Sequence, residues 1–201
     1  MREVTMKVYS VEELSERALD RAYYDWCMNS DYPWSAENRE TLLEFERIFP
    51  IEVTDWQYGG CYKYVRFHMT CEDEVAELEG FRLAKYIWNN YRTDLYRGKY
   101  YSKGKFTDGK YQYVSRRSKI ILEKDDCPLT GYYIDYDILK PIWDFLDSPR
   151  PNITFKDLMK ECLNNWLEAC ENDYNDYYSK DSFIETAKVN GWEFYEDGSM
   201  F

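Results

Sequence analysis

Histidine is almost absent from this sequence, and the familiar catalytic and metal-binding patterns are missing with it. The 201 residues include one histidine, His68, so a Ser-His-Asp or Cys-His catalytic device could use only that residue. A zinc site would have to combine it with cysteines that lack the short ligand spacings. The motifs GxxxxGK[ST], GxGxxG, HExxH and GxSxG do not occur. We therefore expect no catalytic residue, no metal site and no cofactor, and we interpret His68 as a surface or half-buried strand residue.

Long apolar runs are also missing. No stretch approaches the roughly 20 apolar residues that a membrane-spanning helix requires, and Met1–Ser10 has no signal-peptide pattern. The six cysteines form no CxxC pair, and we expect them to be free, mostly buried thiols in a reducing compartment. These absences favour a cytoplasmic protein that does not contact membranes.

Acidic side chains outnumber basic ones, and the basic side chains are unevenly distributed along the chain. There are 26 Lys and Arg against 38 Asp and Glu, a net charge of −12. From Arg92 to Lys119, however, nine residues are basic and two acidic, so that this segment carries +7 and the rest of the chain −19. Such a field repels nucleic acid everywhere except locally, and it attracts basic partners. The 21 tyrosines, a residue type favoured at interfaces, agree with a binding protein.

Strand and helix periodicities alternate along the chain and predict the α+β class. We expect a single domain over 1–201, with a short antiparallel sheet packed against several helices and a helical C-terminal third. Residues 148–152 are the one candidate boundary. The predicted strands are 4–8, 51–56, 61–69 and a terminal strand or hairpin from 192 onward, and the predicted helices are 11–28, 35–49, 72–96, 133–146, 155–170 and 181–189.

Local signals predict how some of these elements begin and end. Ser10 with Glu13 is the pattern of a capping box, which predicts the start of the first helix. Pro141 predicts a bend or a restart within its helix, because proline lacks the backbone N–H. The polar stretch 171–178 predicts a break between two helices. The basic stretch 98–119 is typical either of a hairpin or of a mobile loop.

The C-terminal part of the chain is strongly acidic. Between Glu161 and Phe201 there are ten acidic and two basic residues, with tyrosines among them. Carboxylates spaced over a rigid surface can stand in for phosphates, so we expect this surface to fill a basic groove built for DNA or RNA. Ordinary solvation of helix faces would produce the same composition. The predicted partner-binding residues are Glu171, Asp173, Tyr174, Asp176, Tyr177 and Asp181.

The basic, tyrosine-rich segment 91–119 supports an alternative function, that of a nucleic-acid-binding regulator or antitoxin. Lysine and arginine bind phosphates, and tyrosine stacks on bases. The other interpretation is a solvated hairpin whose positive charge balances the surrounding acid. The candidate nucleic-acid contacts are Arg92, Arg97, Lys99, Lys103, Lys105, Arg116, Arg117 and Lys119.

A second alternative is a metal-dependent nuclease. Asp125-Asp126 and the pair Asp135 and Asp137 lie on either side of a Cys-Pro-Leu-Thr-Gly turn, with Lys124 and Lys140 nearby. A magnesium nuclease needs two or three carboxylates that converge on the ion. We assign Asp135 and Asp137 to that role in this hypothesis, although such clusters also arise by chance in a chain with 38 acidic residues.

Two stretches resemble the beginning and the end of a loose group of small phage and prophage proteins, some of them grouped with antitoxins. The first reads Val-Tyr-Ser-Val-Glu-Glu-Leu-Ser-Glu-Arg-Ala over 8–18, and the second Asn-Gly-Trp-Glu-Phe-Tyr-Glu-Asp-Gly over 190–198. Neither contains a functional residue that can be carried over. The resemblance implies the cytoplasm of an infected or lysogenic bacterium. In that context it implies an anti-CRISPR or other anti-defence inhibitor, with a basic host protein such as a CRISPR effector or another nuclease as partner.

Overall fold

Side-chain caps and tertiary packing together decide where the helices begin and end. The computed structural model describes residues 6–107 and 110–201, and for 101–103, 105, 107 and 111–115 it describes the backbone alone. The α-helices of the described residues are α1, Glu16–Asn29; α2, Ser35–Ile48; α3, Asp73–Ala76; α4, Gly80–Leu95; α5, Ile134–Asp147; α6, Phe155–Tyr177; and α7, Lys180–Asn190.

The strands pair two by two, always antiparallel. The α+β class and the helical C-terminal third are confirmed. The expected packing of sheet on helix occurs where Trp56 of one strand lies edge-on against Trp166 of α6, with ring centroids 5.4 Å apart. At the N-terminus the strand begins at Tyr9, while 4–5 of the predicted strand fall outside the described residues. The pairs are β1, Tyr9–Ser10, with β6, Glu193–Phe194; β2, Ile51–Gln57, with β3, Tyr64–Met69; and β4, Tyr96–Thr107, with β5, Lys110–Lys124.

The described residues group into two compact units, each with its own hydrophobic core. The central unit is Ala36–Cys170, and its core joins aliphatic and aromatic side chains of α2, α4, α5 and α6. The terminal unit combines the residues up to Ser35 with Glu171–Phe201, and its core surrounds Phe183. The sequence 148–152 lies inside the central unit. That 1–201 form a single domain stays a prediction.

The first helix begins later than predicted. Ser10 and Glu13 do form the capping contact, since the Ser10 N–H donates to the Glu13 carboxylate at 2.8 Å. This contact opens only the 3-10 turn Val11–Glu13, because the next residue, Leu14, has an extended backbone. Helix α1 starts after Ser15, whose hydroxyl accepts an N–H of the first helical turn at 3.3 Å.

The long helix predicted over 72–96 is divided into α3 and α4. The Phe155 N–H donates to the carbonyl of Leu78 at 2.9 Å, which draws the backbone between the two helices away from helical geometry. Gly80 follows with φ +54°, a left-handed conformation that glycine adopts at little cost. The new register leaves Phe81, expected on the apolar stripe, 80% exposed.

The predicted break over 171–178 is wrong, because α6 continues past Cys170 to Tyr177 without interruption. Tertiary contacts of its last two turns outweigh the low helix propensity of this polar stretch. The restart predicted at Pro141 does not occur either, since α5 is a single helix through that residue. The basic stretch 98–119 forms a hairpin and not a loop.

Trp166 offers a test of the central core. Its side chain is fully buried, and its Nε1–H donates to the backbone carbonyl of Asn38 at 3.0 Å. We expect Trp166→Phe to lower the free energy of unfolding by about 1–3 kcal/mol, because the buried carbonyl loses its donor. Urea unfolding followed by circular dichroism measures the change. Trp88→Phe, at a residue 39% exposed, is the control and should cost less than half as much.

Candidate functional site

The negative charge of the chain is concentrated in the terminal unit. The sequence of that unit contains fifteen acidic and six basic residues, a net charge of −9, while the larger central unit has a net charge of −3. Three of the terminal unit's bases are already engaged by its own carboxylates: Arg21 by Asp25 and Asp197, Lys180 by Asp20, and Lys188 by Glu12. Acid therefore remains in clear excess on this unit.

The predicted acidic residues come together at the junction of two helices. Glu171, Asp173 and Asp176 occupy the last two turns of α6, and Asp181 lies in the first turn of α7. The Ser179 N–H donates to the Asp176 carbonyl at 3.2 Å, which makes the connection between the helices tight. Asp176 and Asp181 are exposed, and neither takes part in an ion pair among the described residues.

The tyrosines predicted as partner contacts are largely used for packing. The Tyr177 ring lies 5.4 Å from that of Trp26 and 5.6 Å from that of Trp34, while Tyr174 lies 5.3 Å from Tyr32. Tyr177 and Tyr174 are both half-buried. Their main role is therefore to hold the end of α6 in the terminal unit, and the carboxylates beside them supply most of the exposed polar surface.

The loop from Ser30 to Trp34 completes this surface, and sequence reasoning treated it only as a break. The Tyr32 hydroxyl donates to the Asp173 carboxylate, and the Tyr178 hydroxyl donates to the Ser30 carbonyl at 2.8 Å. Partial burial raises the pKa of Tyr178, and the nearby Asp31 acts in the same direction. The adjacent acid and aromatics of the loop were the only sequence signal. We call the whole set the acidic-aromatic surface: Asp31, Trp34, Asp173, Asp176, Tyr177 and Asp181.

The basic candidates are divided between a helix and the β4–β5 hairpin. Arg92 lies in the last turn of α4, and Arg97 is paired with Asp125 at the base of the hairpin. The side chains of Lys103 and Lys105 lie outside the described part. Besides Arg97, the exposed basic side chains of the described hairpin that match the prediction are Lys99, Arg116, Arg117 and Lys119.

Asp135 has a structural role that is incompatible with metal binding as proposed for it. Its carboxylate is fully buried and accepts five hydrogen bonds. The hydroxyls of Thr41 and Thr130 donate at 3.0 and 2.9 Å. The backbone N–H groups of Leu129, Thr130 and Gly131 donate at 2.7–3.0 Å. Both oxygens are thus saturated by donors, and the carboxylate fixes the turn before α5.

The remaining candidate chemistry is dispersed. No group of three or more His, Cys, Asp or Glu is placed to hold a metal ion in the part of the chain that the structure describes. His68 is an exposed residue of β3 whose Nε2 lies 3.1 Å from the Glu52 carboxylate. None of the six cysteines, all of them among the described residues, forms a disulfide, but only Cys162 and Cys170 are buried, so the expectation of mostly buried thiols was wrong. Among the described helices none has the length and apolarity to cross a membrane.

No family model matches this chain, and no curated protein or solved structure is significantly similar to it. The fold and the surfaces define an α+β protein whose charge is segregated between an acidic terminal unit and a basic hairpin. Function therefore has to be inferred from these two surfaces.

Substitutions of Asp135 and Asp137 should have different effects on the free energy of unfolding. Asp135→Ala leaves three backbone donors of the turn without an acceptor, and we expect a loss of about 3–5 kcal/mol in the free energy of unfolding. Burial raises the pKa of Asp137, so its charge is unfavourable in the folded state at neutral pH. Asp137→Asn should therefore be neutral or slightly stabilising. Urea unfolding at neutral pH checks both, and equal losses for the two variants would contradict the structural role.

Proposed function

We propose that this chain is a non-enzymatic inhibitor that occupies a basic nucleic-acid-binding groove of another protein through its acidic-aromatic surface. The observation that carries the proposal is the charge of the terminal unit, −9, together with the exposure of Asp176 and Asp181 on it. The hairpin's charged contacts at its base go to Asp125 and Asp147, both in the central unit.

The arrangement of these carboxylates favours binding to a cationic groove. Asp173 and Asp176 lie on one helix and Asp181 on the next, so their spacing is set by rigid elements and little order has to be gained on binding. Fixed anionic groups accelerate association with a basic cleft by electrostatic steering. Trp34, 38% exposed beside these acids, supplies the kind of aromatic anchor that carries binding energy at interfaces.

The narrower proposal concerns the identity of the target. The resemblance of the two ends of the chain to small phage and prophage proteins supports a bacterial defence nuclease as the partner, with a CRISPR effector as the specific candidate. Inhibition would then be steric and electrostatic, because the bound acidic surface takes the place of the polynucleotide. The cytoplasm of the infected or lysogenic bacterium is the proposed location.

Charge reversal on the acidic-aromatic surface tests the proposal. The immobilised full chain is incubated with a bacterial lysate freed of nucleic acid, and bound proteins are eluted with a DNA duplex and identified by mass spectrometry. We expect nucleic-acid-binding proteins in this eluate, because DNA competes for the same groove. Asp176→Lys with Asp181→Lys should reduce their capture at least tenfold, and higher salt should reduce it in the wild type.

A matched control distinguishes an effect of this surface from an effect of net charge. Glu37→Lys with Glu40→Lys changes the charge by the same amount, again at one first-turn and one other exposed helical position, but in the central unit. This variant should capture the same proteins as the wild type. Capture that resists elution by DNA, or that the two double variants lower equally, would refute the proposal.

A further inference from the structure

The pairing of β4 with β5 is interrupted by a β-bulge. The strand register passes from Gly98 opposite Leu122 to Tyr100 opposite Arg117, so four residues of β5, 118–121, lie opposite the single residue Lys99 of β4. Bulges of this kind redirect side chains and are recurrent features of binding and active sites.

Contacts made by Ser118, Gly98 and Arg117 hold this bulge. The Ser118 hydroxyl accepts the N–H groups of Ile120 and Ile121 at 3.1 and 2.8 Å. Gly98 lets the two strands approach so closely that a Cβ there would overlap the Ser118 carbonyl oxygen. Arg117 donates to the Gly98 carbonyl at 3.3 Å, and its guanidinium lies over the Tyr100 ring, 5.8 Å from the centroid. The bulge is therefore a defined conformation with its own hydrogen bonds.

The bulge, close to the base of the hairpin, presents apolar side chains to solvent next to basic residues in the sequence. Ile120 is 90% exposed and Ile121 61% exposed, and the exposed Arg116 and Lys119 precede them on the same strand. Lysines on a two-stranded ribbon are also a device against edge-to-edge aggregation. That device does not explain two adjacent exposed isoleucines, which would promote aggregation unless a partner covers them.

Charge and dimensions indicate the class of partner. The sequence of the hairpin, 96–124, has nine basic and two acidic residues, a charge of +7. A two-stranded ribbon has the width that the major groove of duplex DNA admits. Twelve residues of strand extend about 40 Å. Two carboxylates at the hairpin base, those of Asp125 and Asp147, are paired with Arg97 and Lys124, and not with Arg116 or Lys119.

We infer that the β4–β5 hairpin binds duplex DNA, with Lys99, Arg116 and Lys119 on the phosphates and with Ile120 and Ile121 against base edges in the major groove. Apolar side chains make such contacts with thymine methyl groups. The hairpin belongs to the central unit and the acidic-aromatic surface to the terminal unit, and the inference does not depend on the proposed inhibitory function. An acidic protein or an anionic membrane would match the charge, but neither calls for a ribbon of groove width.

Fluorescence anisotropy with a short labelled DNA duplex and the full chain tests the inference, between about 50 and 200 mM salt. We expect binding that weakens steeply with salt. Arg116→Ala with Lys119→Ala should weaken it about tenfold and lower the slope of log affinity against log salt by about 2. Ile120→Ser with Ile121→Ser should weaken it severalfold and leave the slope unchanged, because no charge is removed.

Two further variants, one double and one single, distinguish the contribution of the bulge to DNA binding from that of net charge. Lys156→Ala with Lys160→Ala removes two exposed lysines of α6 and should leave duplex affinity unchanged. Gly98→Ala preserves every charge but distorts the bulge, and it should weaken binding as the isoleucine variant does. Circular dichroism confirms that each variant folds.

Several results would overturn the inference. One is no duplex binding by the wild type at about 50 mM salt. Another is an equal loss of duplex affinity in the hairpin double variant and the α6 lysine double variant, which would indicate that binding depends on net charge alone. A third is tighter binding to single-stranded DNA, to phosphatidylserine vesicles or to polyglutamate than to the duplex, which would assign the hairpin to that class of partner.

Discussion

The apolar stripe of helix α6 is the constraint on which both units depend. As far as Cys170 its buried residues, among them Phe155 and Trp166, form the centre of the core of the central unit. Beyond that point the same helix supplies Tyr174 and Tyr177 to the aromatic packing of the terminal unit. Because these rings must be withdrawn from water, the helix continues through a polar stretch, and Asp176 between the rings is held on its exposed side.

Two polar arrangements show how strictly buried groups have to be satisfied. The Asp135 carboxylate is excluded from water yet accepts five hydrogen bonds, so it fixes the turn before α5 and has no capacity left for a metal ion. In the hairpin, Ser118 replaces ladder hydrogen bonds lost at the bulge. The complete hydrogen bonding of Asp135 removes it as a candidate metal ligand. The hydrogen bonds to Ser118 hold the bulge, and the bulge exposes a candidate binding surface.

Much of the fold was predictable, and the errors have physical causes. The capping contact of Ser10 with Glu13 and the strands β2 and β3 follow local signals, and all are present. The break between α3 and α4 was missed because it depends on a hydrogen bond from Phe155, 77 residues after Leu78. The loop around Trp34 was missed as part of the candidate surface because only contacts with α6 place it there.

The sequence by itself determined the α+β class, the excess of acid and the position of the basic segment, because composition and short-range periodicity are properties of the chain alone. Tertiary structure alone decided which charges remain available. It enclosed Asp135, paired Arg97 with Asp125, and left Asp176, Asp181 and the isoleucines of the bulge exposed. Whether a charged or apolar group is free to meet a partner depends on neighbours distant in sequence, and no local pattern records them.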